Sequence, residues 1–337
     1  MVLNFGMIGA GNVSATYAYV LDKNPDSRTT AVADIDLTKA QKIADTFGIK
    51  TVYTDYRQML THEKLDAVII GTPHYVHHEQ AVTCAAYGLP LLCEKPLATT
   101  LEDINDMIQR YRSVPLGTML QRRFYPNTIA AAAVVRQGAL GTIEEVSLNF
   151  SCHKSADFYN TWRGKKMSGG GVLLSQALHR IDQLVSIFGM PASVHGTTKI
   201  TRPYLEVEDY AQGRITFESG IVAEIEANNS SGDEETRSII GITGTAGTII
   251  LSDDKTLEWR VAGWPGPEGL EMNAIPTIYR PAYYGPAHEK VIDDFVAAVK
   301  HQRPPMVTGA DSLPAMKIIF GFYESAASGK SVLLTPV

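Results

Sequence analysis

Short apolar runs alternate with helix-period segments through the first third of the chain. LNFGMIGA, RTTAVADI, LDAVIIGT, LPLLCEK and PLGTMLQ predict strands, and residues 12–21, 37–47, 77–87 and 101–112 predict the helices between them. AVII, inside the third run, is apolar on both faces, as a strand of a parallel sheet covered by helices must be. Repeated strand–helix units with right-handed crossovers give a doubly wound, Rossmann-type parallel sheet.

The pattern changes near residue 122. NTIAAAAVVRQGAL predicts a helix that stops near Gly138, and longer strands follow: TIEEVSLNFSC, ASVHGTTKI, YAQGRITFES, GIVAEIEAN and TRSIIGITGTAGTIILSD. In GIVAEIEAN, Ile221, Ala223, Ile225 and Ala227 share one face, while Val222, Glu224 and Glu226 share the other. One face therefore meets a core and the other meets water or a partner. FESGIV and TGTAGTI supply hairpin turns, and residues 286–302 and 312–328 read as two closing helices. WPGPEGLEMNAIPTIYRPAYYGP reads as a long loop suited to a lid or an oligomer arm. The expected fold is α/β. A dinucleotide-binding domain covers residues 1–121, and an α+β domain with a largely antiparallel, open-faced sheet covers residues 122–337.

Composition narrows the function classes. The 337 residues suffice for two cores, and a net charge of −6 argues against a nucleic-acid or polybasic membrane surface. Cys84, Cys93 and Cys152 form no CxxC pair and suit free thiols in a reducing compartment. No apolar run is long enough for a membrane helix, and MVLNFGMIGAGN lacks a basic region followed by a cleavage site. A cytoplasmic protein is expected.

GMIGAGNVSA places Gly9, Gly11 and then Ser14 in the G-x-G-x-x-G frame between a strand and a helix. The glycines permit a tight turn and close approach of a pyrophosphate, which the helix N-terminus at Asn12 and Val13 meets with unpaired amides. The next strand ends in VADID, with Asp34 about twenty residues past Gly11, the spacing of a carboxylate on the adenosine ribose. Such a carboxylate repels a 2′-phosphate and favours NAD over NADP. The plainer role for Asp34, capping the following helix, fits Asp36 better.

Thr72 and Pro73 turn the chain at the C-terminal edge of the sheet, where α/β ligands bind. His74, His77 and His78 raise a metal site, but no Cys or carboxylate set completes a zinc spacing, so none is assigned. His77 is placed near the cofactor; His78 and Glu79 are expected to face solvent. In LPLLCEKP, Lys95 leaves a core strand at that same edge, and Pro96 restricts its backbone. An ammonium there stabilises a developing alkoxide beside a nicotinamide. The plainer reading is a structural Glu–Lys pair.

SGGGVLLSQALHRIDQL puts three glycines before a helix carrying Ser175, His179 and Asp182, four and three apart and so on one face, where Ser175 and Asp182 are expected to hydrogen-bond to substrate or orient the imidazole. An imidazole has the intrinsic pKa to take a proton from an alcohol as hydride leaves carbon.

These segments together resemble the Gfo/Idh/MocA oxidoreductase family of glucose–fructose oxidoreductase and inositol dehydrogenase. The matching pieces are GAGNVS, TPHYVH, EKP, RRFYP and GGGVLLSQALHRID, with GTAGTIIL and FYESAASGKSVLL later, so the resemblance spans nearly the whole chain. It implies NAD(P)-dependent oxidation of a sugar, polyol or related cyclic alcohol, or the reverse. It also implies a homodimer or homotetramer formed through the open sheet. By it, Lys95 is the catalytic lysine and His179 the acid–base residue. Glu94 and His77 line the nicotinamide ribose. Arg123, or Trp162 with Arg163, closes over cofactor or substrate. Two residues depart from the family pattern: His74 stands for an asparagine, and Ser175 for the aspartate four before the histidine. A subgroup carrying an amide at that second place points to a different substrate. Three rivals remain: a dihydrodiol dehydrogenase or NADPH-dependent carbonyl reductase, a sensing or scaffold protein without chemistry, and, more distantly, a metal-dependent hydrolase using the histidine cluster.

Overall fold

The structure, a computed structural model, describes residues 2–231, 236–253, 255–268, 275, 277–279 and 285–334. Two compact units divide the chain: Met1–Gln121 with Glu271–Ser312, and Arg122–Leu270 with Leu313–Val337.

The first unit runs β1 (Leu3–Ile8), α1 (Ser14–Lys23), β2 (Ser27–Ala33), α2 (Leu37–Phe47), β3 (Thr51–Tyr53), α3 (Tyr56–His62), β4 (Ala67–Ile70), α4 (His77–Ala86), β5 (Leu91–Cys93), α5 (Leu101–Arg110) and β6 (Leu116–Thr118). Its six strands lie in the order β3-β2-β1-β4-β5-β6, and every pair is parallel. The order reverses between β1 and β4, the switch point at which such sheets bind ligands. All four residues of β4 are buried, and Met7, Ile69, Ile70, Leu91 and Leu92 are among the most deeply enclosed side chains. Local chemistry sets the helix ends. The Asp36 side chain accepts the Thr38 and Lys39 amides at 3.1 and 3.3 Å, and Thr100 accepts the Asp103 amide at 3.0 Å. Asp36 is thus the cap of α2, which leaves Asp34 available for another role. The sequence pattern does not predict β3 or α3. Three half-buried strand residues carry too little periodicity, and α3 spans only seven.

The second unit opens with α6 (Pro126–Arg136), β7 (Ile143–Ser151), the single turn α7 (Ala156–Tyr159), α8 (Leu178–Phe188), β8 (Pro191–Lys199), β9 (Tyr210–Phe217), β10 (Val222–Asn228), β11 (Arg237–Gly244), β12 (Gly247–Ser252) and β13 (Lys255–Val261). The chain then supplies α9 (Pro286–His301) to the first unit, before α10 (Leu313–Ser328) and β14 (Val332–Leu333) complete the second. The eight strands lie in the order β13-β12-β11-β7-β10-β9-β8-β14, antiparallel except for β10 with β7. In β10, Ala223, Ile225 and Ala227 are buried, while Val222, Glu224 and Glu226 are exposed, as the alternation requires. The sequence pattern does not predict β13 or β14.

In the first unit α9 packs on α1: Lys23 reaches Glu289 at 2.6 Å and Asn24 reaches Asp293 at 2.7 Å. Most of the loop expected as a lid or arm lies outside the described residues. Its turn at Thr277–Tyr279 docks on the first unit, where the Thr16 hydroxyl donates to the Tyr279 carbonyl at 2.8 Å and the Tyr279 ring stacks on Tyr19. Among the described residues no helix is long and apolar enough to cross a membrane.

Candidate active site

β1 ends at Ile8 and the chain turns at Gly9 with φ +100. A Cβ at Gly9 would lie 2.9 Å from the backbone of Gly71 after β4, so the fold itself demands this glycine. Gly11 is different. It is exposed, and a Cβ there would meet only the Gly71 oxygen, at 3.8 Å. α1 has no side-chain cap, and the amides of Gly11, Asn12 and Val13 donate to no acceptor among the described residues. Open backbone in front of uncapped helix amides fits the phosphate oxygens of a dinucleotide. Ser14 fills the third glycine position because its buried hydroxyl donates back to the Gly9 carbonyl at 2.8 Å.

Asp34, one residue past β2, joins this turn. Its Oδ2 accepts the Ala10 amide at 2.7 Å and its Oδ1 accepts the Asp36 amide at 2.8 Å. The carboxylate is therefore held against the glycine turn by two backbone donors, with acceptor capacity left on each oxygen.

β4 and β5 deliver the remaining polar groups of this unit. The Thr72 hydroxyl donates to Gln80 Oε1 at 2.7 Å, and Pro73 precedes the short helical turn at His74–Val76. His77 is fully buried. Its Nδ1 lies 2.9 Å from the Pro96 carbonyl and its Nε2 2.9 Å from the Thr72 carbonyl. Burial pushes its pKa down, against the pull of those two carbonyls, and the Lys95 charge adds to the depression. His78 does not face open solvent as expected. It is half-buried and hydrogen-bonded to Asp106 at 2.8 Å, because α5 packs beside α4. Glu79 is exposed and pairs with Arg57. Among the described residues no cluster of His, Cys, Asp or Glu could hold a metal ion.

Glu94 and Lys95 directly follow β5 and are half-buried. Glu94 Oε1 accepts the Tyr17 hydroxyl from α1, and its Oε2 accepts the Lys95 amide at 3.0 Å. Burial raises the Glu94 carboxyl above its usual range, while the Lys95 charge and these hydrogen bonds oppose the rise.

In the second unit the glycine run leads into α8 through a π-helical turn at Leu173–Ala177. Such turns recur at functional sites. Ser175 lies inside it, so the regular four-residue step from Ser175 to His179 does not apply, whereas His179 and Asp182 lie three apart in regular helix. The Ser175 hydroxyl donates to the Gly171 carbonyl. Asp182 is fully buried and takes a forked ion pair from Arg123, with Nε at 3.0 Å from Oδ2 and Nη2 at 2.7 Å from Oδ1. Arg163 stacks on the Trp162 ring at 4.5 Å and on Phe158 at 5.1 Å.

Gly171 has φ +99, and a Cβ there would fall within 2.3–2.5 Å of the Glu208 carboxyl. Glu208 Oε1 accepts the Leu173 amide and the Tyr323 hydroxyl, each at 3.0 Å. A side-chain carboxyl oxygen thus caps the start of the helix that carries His179. Burial pushes its pKa up to about 7.

Tyr17 and Gln80 bond the predicted residues Glu94 and Thr72, while Glu208 and Tyr323 act one step away, at the start of the helix that carries His179; the sequence pattern points to none of the four by itself. Tyr17 carries a readable signal, a hydroxyl on the buried face of the helix that follows the glycine turn. Glu208 carries none, since Leu173 and Tyr323 lie 35 and 115 residues away.

Comparison with known proteins bears on both units. Residues 3–119 match the model of an oxidoreductase family with an NAD-binding Rossmann fold, and residues 128–250 match the GFO/IDH/MocA C-terminal domain. D-xylose 1-dehydrogenase (NADP(+)) 2 of Haloferax volcanii is 26% identical over 98% of this chain and 99% of its own. Trans-1,2-dihydrobenzene-1,2-diol dehydrogenase of Sus scrofa is 26% identical over 93% of each chain. The WlbA dehydrogenase of Bordetella pertussis, solved with NADH and UDP-GlcNAcA, superposes with a TM-score of 0.88 at 23% identity, over 100% of both chains.

Proposed function

The chain belongs to the Gfo/Idh/MocA family of NAD-binding oxidoreductases, and from that premise we propose that it moves hydride between a secondary alcohol of a sugar, inositol or related polyol and a nicotinamide cofactor. One observation carries the reading. At the edge of one parallel sheet, uncapped amides at Gly11, Asn12 and Val13 accompany a lysine that β5 leads out of the core. An amide cradle suits a pyrophosphate, and the Haloferax and Sus scrofa relatives act, by their names, on a sugar and on a cyclic diol.

In this mechanism Gly11, Asn12 and Val13 bind the pyrophosphate, and Asp34 accepts from the adenosine ribose and favours NAD. Bound nicotinamide supplies the hydride acceptor. Thr72 and Pro73 border the cofactor and Glu94 lines the nicotinamide ribose; His77, expected beside it, is fully buried between two backbone carbonyls instead. Lys95 binds the reacting hydroxyl, and its charge favours the alkoxide. His179 takes the hydroxyl proton. Asp182, committed to Arg123, stiffens α8 around His179, while Trp162, Arg163 and Ser175 shape the substrate side. A cytoplasmic homo-oligomer assembled through the exposed sheet face of the second unit belongs to the same reading.

The test is cofactor reduction across sugars, inositols and trans-dihydrodiols, with NAD and NADP in parallel. Turnover with at least one sugar or polyol is expected, and turnover confined to dihydrodiols would give the reaction named for the Sus scrofa relative to this chain. Lys95→Ala is expected to cut turnover about 10²–10³-fold with NAD affinity kept. Normal turnover in that variant would end the assignment.

A further inference from the structure

His77 stands in an unusual place for an imidazole. It is 0% exposed, and each ring nitrogen faces a backbone carbonyl at 2.9 Å, Pro96 on one side and Thr72 on the other. Carbonyls only accept. A neutral imidazole has one N–H and an imidazolium has two. A neutral ring here donates to one carbonyl and turns a lone pair toward the other. Burial and the nearby Lys95 both oppose the charged form, so the ring holds one turn more firmly than the other. The Pro96 contact is the buried one and the Thr72 contact only partly so. A buried carbonyl left without a donor costs more, which places the N–H toward Pro96. The two turns it touches are those that follow β4 and β5, and Pro96 is bonded directly to Lys95.

We propose that His77 is a positioning residue: a buried strut whose Nδ1–H bond to the Pro96 carbonyl fixes the turn that carries Lys95, and which makes no contact with cofactor or substrate. The proposal rests on the reading of Lys95 given above. Its logic is geometric. Lys95 leaves a three-residue strand, and a strut on the Pro96 carbonyl holds Pro96, whose ring-fixed φ carries the restraint back to the Lys95–Pro96 peptide. A misplacement of about 1 Å at a reacting group costs up to about a hundredfold in rate.

Amide side chains separate the two halves of the strut. The Nδ2 of asparagine stands as many bonds from the backbone as Nδ1 of histidine, whereas the Nε2 of glutamine reaches as far as Nε2. His77→Asn therefore keeps a donor for Pro96, His77→Gln keeps one for Thr72, and His77→Phe keeps only the volume. The experiment measures kcat, cofactor KM and thermal unfolding for the three variants of the full chain. It also records the Lys95 signal in NMR spectra of ¹³C-lysine-labelled protein, assigned by its loss in Lys95→Met.

The expected result is that Asn retains most of the turnover, while Gln and Phe lose about tenfold to a hundredfold in kcat with cofactor KM within about threefold. The Lys95 signal then moves in Gln and Phe and stays near its wild-type place in Asn. Normal kcat in Phe would reduce His77 to packing. A raised cofactor KM with kcat intact would mean that the ring touches the dinucleotide. Equal losses in Asn and Gln would remove the preference for the Pro96 side. Each of these overturns the proposal. The lysine spectra need no turnover, so they test the strut even if the substrate panel fails. An unmoved Lys95 signal in Phe would sink it.

Discussion

The carboxylate of Asp34 accepts the backbone amide of Ala10 at 2.7 Å and thereby ties the end of β2 to the glycine turn after β1. The residue expected to choose the cofactor also braces the turn expected to hold it. Asp34→Ala is expected to weaken NAD binding about tenfold or more through the lost acceptor and loosened turn. Calorimetric titration with NADH and NADPH measures both effects. Equal affinity of the unaltered protein for the two would remove Asp34 as the discriminator.

Gly9 and Gly11 are expected to fail in different ways. Gly9→Ala forces a left-handed backbone and a contact with Gly71, so it destabilises the apo protein by about 1–3 kcal/mol or more. Gly11→Ala meets nothing closer than 3.8 Å in the protein, so its melting temperature stays near that of the unaltered chain while dinucleotide affinity drops. Melting curves with and without NAD separate the two. A Gly11→Ala protein that bound NAD normally would place the pyrophosphate elsewhere.

The Arg123–Asp182 pair is buried on the carboxylate side, with 1% of the Asp182 side chain exposed. Removing the carboxylate takes both arms of the fork from a largely buried guanidinium, so Asp182→Ala is expected to cost about 3–5 kcal/mol in urea unfolding. Replacing both by well-packed apolar residues is expected to recover much of that loss. Failure of the single variant to lower stability would mean that Arg123 finds another partner.

Glu208 gives the protein a pH signature. Burial raises its folded-state pKa to about 7, above its ordinary carboxyl value. Its contribution is therefore fully present below the unfolded carboxyl value and is lost as pH rises through about 7. The melting temperature is expected to fall from about pH 4.5 to about pH 7 and to level off above that. Glu208→Gln keeps an acceptor for Leu173 and Tyr323 and is expected to flatten that fall. Calorimetry of both proteins across the range decides it, and parallel curves would place the titration on another group.

The α/β pattern was legible because burial writes itself into sequence at short range. A strand covered on both faces reads as AVII, and a half-covered strand reads as GIVAEIEAN. Helices α2, α9 and α10 lie where their spacing predicts, within a residue or two at the ends. Elements too short to show a period, such as β3 and β14, were not legible. The three glycines before α8 announced a special approach without saying to what, and the answer, the Glu208 carboxyl beside Gly171, comes from 37 residues downstream in numbering.

By itself, the sequence determined the doubly wound unit, the open sheet that follows it, and the residue types offered to a dinucleotide and an alcohol. Spacing along one strand or helix is enough for those, since each depends on neighbours a few residues apart. Only tertiary structure decided how the polar groups are held: Tyr17 on Glu94, Arg123 on Asp182, Glu208 on Leu173, and His77 between two carbonyls. A buried donor needs an acceptor within about 3 Å, and the chain supplies it from whichever segment folding brings there.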